Sequence, residues 1–158
     1  MNYRKLLKAY PELAKIDLYS KNVAALFYKS RPHWLGYAAP EEYKGRIFLK
    51  IAIPMPNNPD DKGLIINTDS HRVTVFFYGY HAHFGGWRGM TAQDAFDGAM
   101  KYVDKLRREE YVVGCWVDEE YGVVSGRCYL TEDIETVQPG EISYIRSWLG
   151  TYDRNYEE

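Results

Sequence analysis

Between Thr91 and Arg108 the residues Ala92, Ala95, Phe96, Ala99, Met100, Val103 and Leu106 fall on one stripe of a 3.6-residue period. Most of the remaining positions are polar or charged, which predicts an amphipathic helix over 91–108 with one buried face. Thr91 and Asp94 stand three apart at its start, as in a capping box. Asp97 with Lys101 and Asp104 with Arg108 are acid-first pairs four residues apart, worth a few tenths of a kcal/mol each. At the other end of the chain, Tyr3, Leu6, Leu7 and Tyr10 recur at helical spacing. They predict a short N-terminal helix, with Pro11 breaking the pattern or opening a second helical segment that ends near Asp17.

A different period governs the middle. In Arg46 to Ile53, Ile47, Leu49, Ile51 and Ile53 alternate with Phe48, Lys50 and Ala52, the two-residue repeat of a strand with one buried face. Val23 to Tyr28 is apolar and partly β-branched and reads as a strand, followed by irregular chain from Arg31 to Lys44 around Pro32, Gly36 and Pro40. Pro54 to Gly63 holds three prolines and cannot donate a continuous ladder, so it reads as a loop. Leu64 to Asn67 and Arg72 to Tyr78 read as antiparallel strands about a turn at Thr68 to His71. Tyr111 to Val117, Val123 to Leu130 and Ile142 to Leu149 complete the strands, with Gln138-Pro139-Gly140 as a turn.

One long helix among hairpin-rich stretches implies an α+β fold. A mostly antiparallel sheet would carry that helix on one face, beside a short N-terminal helix. Parallel doubly wound topology would need several crossover helices. At 158 residues a single domain, 1–158, is expected. Met1 to Tyr10 has no apolar run of signal-peptide length and no stretch is long enough to span a bilayer, so the expected location is the cytoplasm, without membrane association.

Composition adds two facts. The chain has 15 Tyr and 4 Trp, side chains suited to both sheet surfaces and partner surfaces. Its net charge is −2 but unevenly spread: residues 1–108 hold 17 Lys/Arg against 10 Asp/Glu (+7), and residues 109–158 hold 3 against 12 (−9). An acidic patch would attract a basic partner and repel nucleic acid. Folding could also interleave the two parts. The two cysteines, Cys115 and Cys128, would lie on one face of a hairpin turning at Glu119-Glu120. With Cys115 opposite Val124, their sulfurs would stand about 13 Å apart along the strand, too far to bridge.

Candidate chemistry centres on His81-Ala82-His83-Phe84-Gly85-Gly86-Trp87. In an uninterrupted strand His81 and His83 project to one side and could share a zinc ion, but zinc wants a third protein ligand. Asp69, His71, His33 and the cysteines are available without a recognisable spacing. The alternative is that both imidazoles pack near a strand's end while Gly85 and Gly86 turn the chain toward Trp87 and the helix. Continuing the parity of Val73, Val75 and Phe77 puts the histidines on their face, unless a bulge at Gly79 inverts it. The corner reading is preferred, so no cofactor is expected. Ser125-Gly126 lacks a nucleophile elbow, and Phe84-Gly85-Gly86 is no phosphate loop. Asp118-Glu119-Glu120, like Asp60-Asp61, reads first as solvated acid. The terminal Arg146 to Asp153 reads as an edge strand anchored by Trp148. It reads alternatively as part of a binding rim in which Tyr152 and Asp153 join Asp118, Glu119, Glu120 and Tyr121 around aromatic anchors.

The order strand, "YHAHF", helix, "VVGCWVDEEYGVVSG" and terminal "RSWLGTYD" resembles small bacterial proteins of unassigned function, among them immunity proteins of polymorphic toxin systems. The resemblance covers roughly residues 70–153 and leaves the N-terminal segment unmatched. It implies a non-catalytic protein that covers a toxin's active site or blocks its movement, and the acidic C-terminal third would suit a basic toxin domain. The expected function is therefore protein binding. A metal-dependent hydrolase using His81 and His83 is the alternative, and an accessory or oligomerising domain using an exposed sheet edge is a third.

Overall fold

The structure, a computed structural model, describes residues 3–58, 60, 63–118, 120, 122–138 and 140–156. Pro59, Asp61 and Lys62 of the predicted loop, Glu119 and Tyr121 of the predicted rim, and Pro139 of the predicted turn lie outside the described residues. The fold is α+β, as the periodicities imply. Its helices are α1 (Tyr3–Ala9), α2 (Leu18–Ser30) and α3 (Ala92–Arg107). One sheet is ordered β1 (Ala38–Tyr43), β2 (Arg46–Ile53), β3 (Leu64–Asn67), β4 (Arg72–Phe77) and β5 (Tyr80–Gly85). In the other, β6 (Tyr111–Asp118) lies between β7 (Gly122–Leu130) and β8 (Tyr144–Arg146), with β9 (Arg154–Asn155) beyond β8. Pairing is antiparallel for β1 with β2, β6 with β7, β6 with β8 and β8 with β9. Among the described residues no helix is long and apolar enough to cross a membrane.

The chain forms two compact units. A first unit gathers Met1–Ile53, Ile65–Val75 and His83–Met100; a second gathers Pro54–Leu64, Phe76–Ala82 and Lys101–Glu158.

In the first unit, α2 replaces the strand expected over Val23 to Tyr28. Asp17 caps it by accepting a 2.7 Å hydrogen bond from the Ser20 N–H, and that cap sets the register before the β-branched Val23 is reached. Val23, Ala24 and Phe27 are fully buried, which is helical spacing. Phe27 meets Phe96 edge-on at 4.9 Å and Trp34 at 6.0 Å. The expected irregular stretch also contains a strand: β1 pairs with β2 through a two-residue turn at Lys44-Gly45, both at positive φ (50° and 74°), as a primed hairpin turn requires. A buried hydroxyl pair, Ser20 Oγ and Thr68 Oγ1 at 2.6 Å, also satisfies the Leu49 N–H. The capping box of α3 is present, with Asp94 N–H donating to Thr91 Oγ1 and Thr91 N–H to Asp94 Oδ2.

In the second unit, the last turns of α3 bury Val103 and Leu106. Val112 of β6 and Ile145 of β8 join Ile134, Val137 and Ile142 in a cluster edged by the half-buried Tyr129, Tyr152 and Tyr156. The strand expected over Ile142 to Leu149 is shorter, running only from Tyr144 to Arg146. Cys115 pairs with Gly126, two residues beyond the expected Val124. The turn centres on Glu120, with Asp118 opposite Gly122, and the register steps once more between Trp116 and Val117. Cys128 is thus two residues closer to Cys115 along the strand than the sequence suggested; both thiols are free, Cys115 buried and Cys128 half-buried.

Candidate partner-binding site

The terminal segment is fastened as a turn. Asp153 Oδ1 accepts hydrogen bonds from the Ser147 N–H (2.7 Å) and hydroxyl (3.3 Å), and Ser147 Oγ accepts from the Tyr152 N–H. Gly150 supplies the positive φ the bend needs (78°). Glu109 accepts from the Leu149 N–H at 2.8 Å. Burial raises the Glu109 carboxyl, but hydrogen bonds from Thr151, Ser147 and Leu149 outweigh it and hold the group below its ordinary value. Trp148, expected to anchor an edge strand or to serve in the partner-binding rim, is only 6% exposed. It lies 6.3 Å from Phe77 and beneath the Arg107 guanidinium, and β9, not this segment, forms the sheet edge. Trp148 is a core residue. Tyr152 is half-buried against the Val112 cluster.

The expected rim is divided by the β6–β8 register. Val113 faces Arg146 and Cys115 faces Tyr144, so the chain past Arg146 leads away from the hairpin tip. Tyr152 and Asp153 therefore belong to the Val112 end of β6, and Asp118 and Glu120 to the other, about 20 Å away at strand rise. The structure does not bring these two groups together.

It brings others to the tip. Alternation along β6 places Gly114 and Trp116 on one face, and Gly114 leaves room there: a Cβ on it would stand 2.8 Å from the Tyr129 ring and 2.9 Å from Ile142 Cδ1. Over this floor runs a groove of about 440 Å³ flanked by Trp116, Arg127, Tyr129, Glu141 and Ile142. Ser143 ties the Glu141-Ile142 loop to the end of β6, donating from its N–H to the Cys115 carbonyl and accepting from the Val117 N–H. Trp116 is 42% exposed, two residues from Asp118, whose carboxylate accepts from the Glu120 N–H at 2.9 Å. Glu120 and Glu141 are exposed. An open indole sharing its groove with Glu141, on the strand that leads to the acidic hairpin tip, suits a lysine or arginine, which can lie on the ring while its charge is met by acid. Arg127, in the same groove, stands 6.0 Å from the Tyr129 ring centroid. The "GCW" spelling, with glycine and tryptophan on one strand face, is the signal in the sequence.

The histidines sit in mid-strand on β5, not at its corner. A turn at Tyr78-Gly79 separates β5 from β4 and reverses the expected parity. His83 Nδ1 is 2.9 Å from Thr74 Oγ1 and His81 lies against Phe76, so both share the face of Thr74 and Phe76, not that of Val73, Val75 and Phe77. The corner is made by Gly85 and Gly86 (φ 86° and 78°), which turn Trp87 outward. Among the described residues no three His, Cys, Asp or Glu side chains stand together as metal ligands would.

The charge asymmetry persists in space. Although the chain passes repeatedly between the two units, among the described residues the first holds 12 Lys/Arg against 7 Asp/Glu (+5) and the second 7 against 11 (−4). Exposed acids of the second unit include Glu132, Asp133 and Glu135 on the short helical turn Thr131–Thr136. Comparison with protein-family models, with curated proteins and with solved structures returns no match to this chain.

Proposed function

We propose that this chain is a non-catalytic, cytoplasmic binding protein of the immunity type, which neutralises a bacterial toxin by capturing a basic surface of it. Trp116 is the anchor, with Asp118, Glu120 and Glu141 around it and the acidic second unit behind. The observation that carries this reading is the gathering of a −4 excess, among the described residues, into the unit that presents the open indole. Aromatic anchors supply most of an interface's affinity, while complementary charge raises the association rate. The same negative excess disfavours nucleic acid as the partner.

The test is co-expression with the toxin domain encoded directly upstream, where an immunity gene's toxin is expected. That domain should arrest growth and this chain should relieve the arrest. With the purified pair, W116A is expected to weaken binding by about 2 kcal/mol, or roughly 30-fold. D118N/E120Q should chiefly slow association and flatten its dependence on salt. If the upstream product leaves growth unaffected, or if arrest persists beside this chain, the proposal fails.

A further inference from the structure

The second unit holds another recess, apart from the partner groove. It starts where β7 passes close to the Tyr78-Gly79 turn: a Cβ on Gly126 would lie 2.7 Å from the Gly79 carbonyl oxygen and 3.1 Å from Tyr80 Cα. Beyond this contact, toward the end of β7, opens a cleft of about 380 Å³ walled by Tyr80, Tyr102, Tyr111, Tyr129, Cys128 and Leu130. Three phenol rings, Tyr80, Tyr102 and Tyr111, drawn from two strands and a helix, line this recess, while the Tyr129 ring turns to the opposite face of the sheet, over Gly114.

The polar groups there are arranged with one sign. The Tyr102 and Tyr111 rings are 5.8 Å apart and tilted. The Tyr102 phenol and the Cys128 thiol lie near enough to influence each other's ionisation. Lys105 Nζ donates to Tyr111 Oη at 3.2 Å and stands 4.7 Å from that ring's centroid. Burial pushes the Tyr80 and Tyr102 phenols up, and likewise the Cys128 thiol, against the lowering pull of Tyr102 and Lys105. At neutral pH these groups stay protonated, so the recess offers hydroxyl donors and the positive charge of Lys105. A convergent set of this kind in a concave site is a ligand-site signature.

We infer that this cleft binds a small aromatic carboxylate, its ring against the tyrosine faces and its carboxylate toward Lys105 and the phenol hydroxyls. A quaternary ammonium ion would suit the rings but is repelled by Lys105. An aliphatic acid would forgo the stacking.

Cys128 reports occupancy. It is the half-buried thiol of the pair, so iodoacetamide labelling of the native protein, followed by peptide mass spectrometry, reads access to the cleft. Benzoate is the probe, and a ligand of its size reaches a Kd of about 1 mM. At about 10 mM benzoate, Cys128 labelling should slow about tenfold. Benzyl alcohol should protect less and choline not at all. K105M should erase the advantage of benzoate over benzyl alcohol, and K105R should keep it. Labelling unchanged by benzoate, protection by choline equal to that by benzoate, or an undiminished benzoate advantage in K105M would each overturn the assignment. The readout does not involve the protein partner, so it stands or falls separately from the immunity proposal.

Discussion

The two units solve the problem of buried polarity differently. In the first, a hydroxyl pair, Ser20 and Thr68, is sunk beneath α2 and completed by a backbone N–H, so no ionisable group takes part. Around it the core is closed by aromatic contacts, with Phe27 between Phe96 and Trp34. In the second, the cluster around Val112 is edged by half-buried tyrosines, and its terminal turn is fastened by two carboxylates, Glu109 and Asp153. The first unit satisfies its interior with neutral hydroxyls, although Trp87, Tyr43 and Tyr37 stand exposed on its surface. The second edges its cluster with half-buried tyrosines, and its fastening depends on charge.

Truncation of each core sharpens the contrast. Phe27→Ala removes a fully buried ring that meets Phe96 edge-on and should cost about 3–5 kcal/mol. Ile145→Ala, also fully buried but in a cluster with yielding tyrosine edges, should cost about 2–3 kcal/mol because its neighbours can close over the space. Urea unfolding of both variants provides the comparison. A larger loss for Ile145→Ala would mean that the second unit's core is the more rigid, contrary to the description above.

How much of this was legible beforehand varies by element. The α3 stripe, its cap and the β2 alternation could be read because each depends on residues a few positions apart. Helix α2 was missed because Val23, Leu26 and Phe27 were weighed by β-propensity, while the signal lay upstream in the Asp17 cap. Strand β1 was hidden by Pro40, which an edge strand tolerates. The expected binding rim comes apart for a different reason. Whether Trp116 or Trp148 is exposed depends on the bend at Gly150 and on the β6–β8 register, and neither is a local property. Asp118 and Glu120 can be placed at a hairpin tip from the sequence, but their separation from Tyr152 and Asp153 follows only from strand direction.

Two glycines give a second comparison, smaller in effect. Gly126→Ala forces a methyl against the Gly79 carbonyl, which is backbone and can yield only if strand and turn move apart. A loss of about 1–3 kcal/mol is expected, with faster Cys128 labelling as the adjacent cleft widens. Gly36→Ala in the first unit meets nothing within 4 Å and should be neutral or stabilising by up to about 1 kcal/mol. Thermal unfolding of the pair decides between them. An unchanged Gly126→Ala protein would show that the approach of β7 to the Tyr78-Gly79 turn is not a tight constraint.

The smallest effect tests whether charge fastens the second unit. Glu109 is held below its ordinary value of 4.5 in the folded chain because hydrogen bonds from Thr151, Ser147 and Leu149 favour the carboxylate over the cost of its burial. Such a group stabilises the fold fully above its unfolded pKa, and that contribution disappears as pH falls through the lower, folded value. Stability should therefore decline below about pH 4.5. Asp94, lowered by its hydrogen bonds from Thr91, and Glu135, lowered by Arg154, titrate in the same direction, so the decline alone does not single out Glu109. The difference between wild type and Glu109→Gln does. The amide accepts hydrogen bonds but cannot titrate, so the variant should be less stable at pH 7 by about 1 kcal/mol or less. That deficit should vanish in acid as the wild-type carboxylate is protonated. A deficit that is constant across pH would assign the loss to amide geometry, leaving the terminal turn fastened by shape and not by charge.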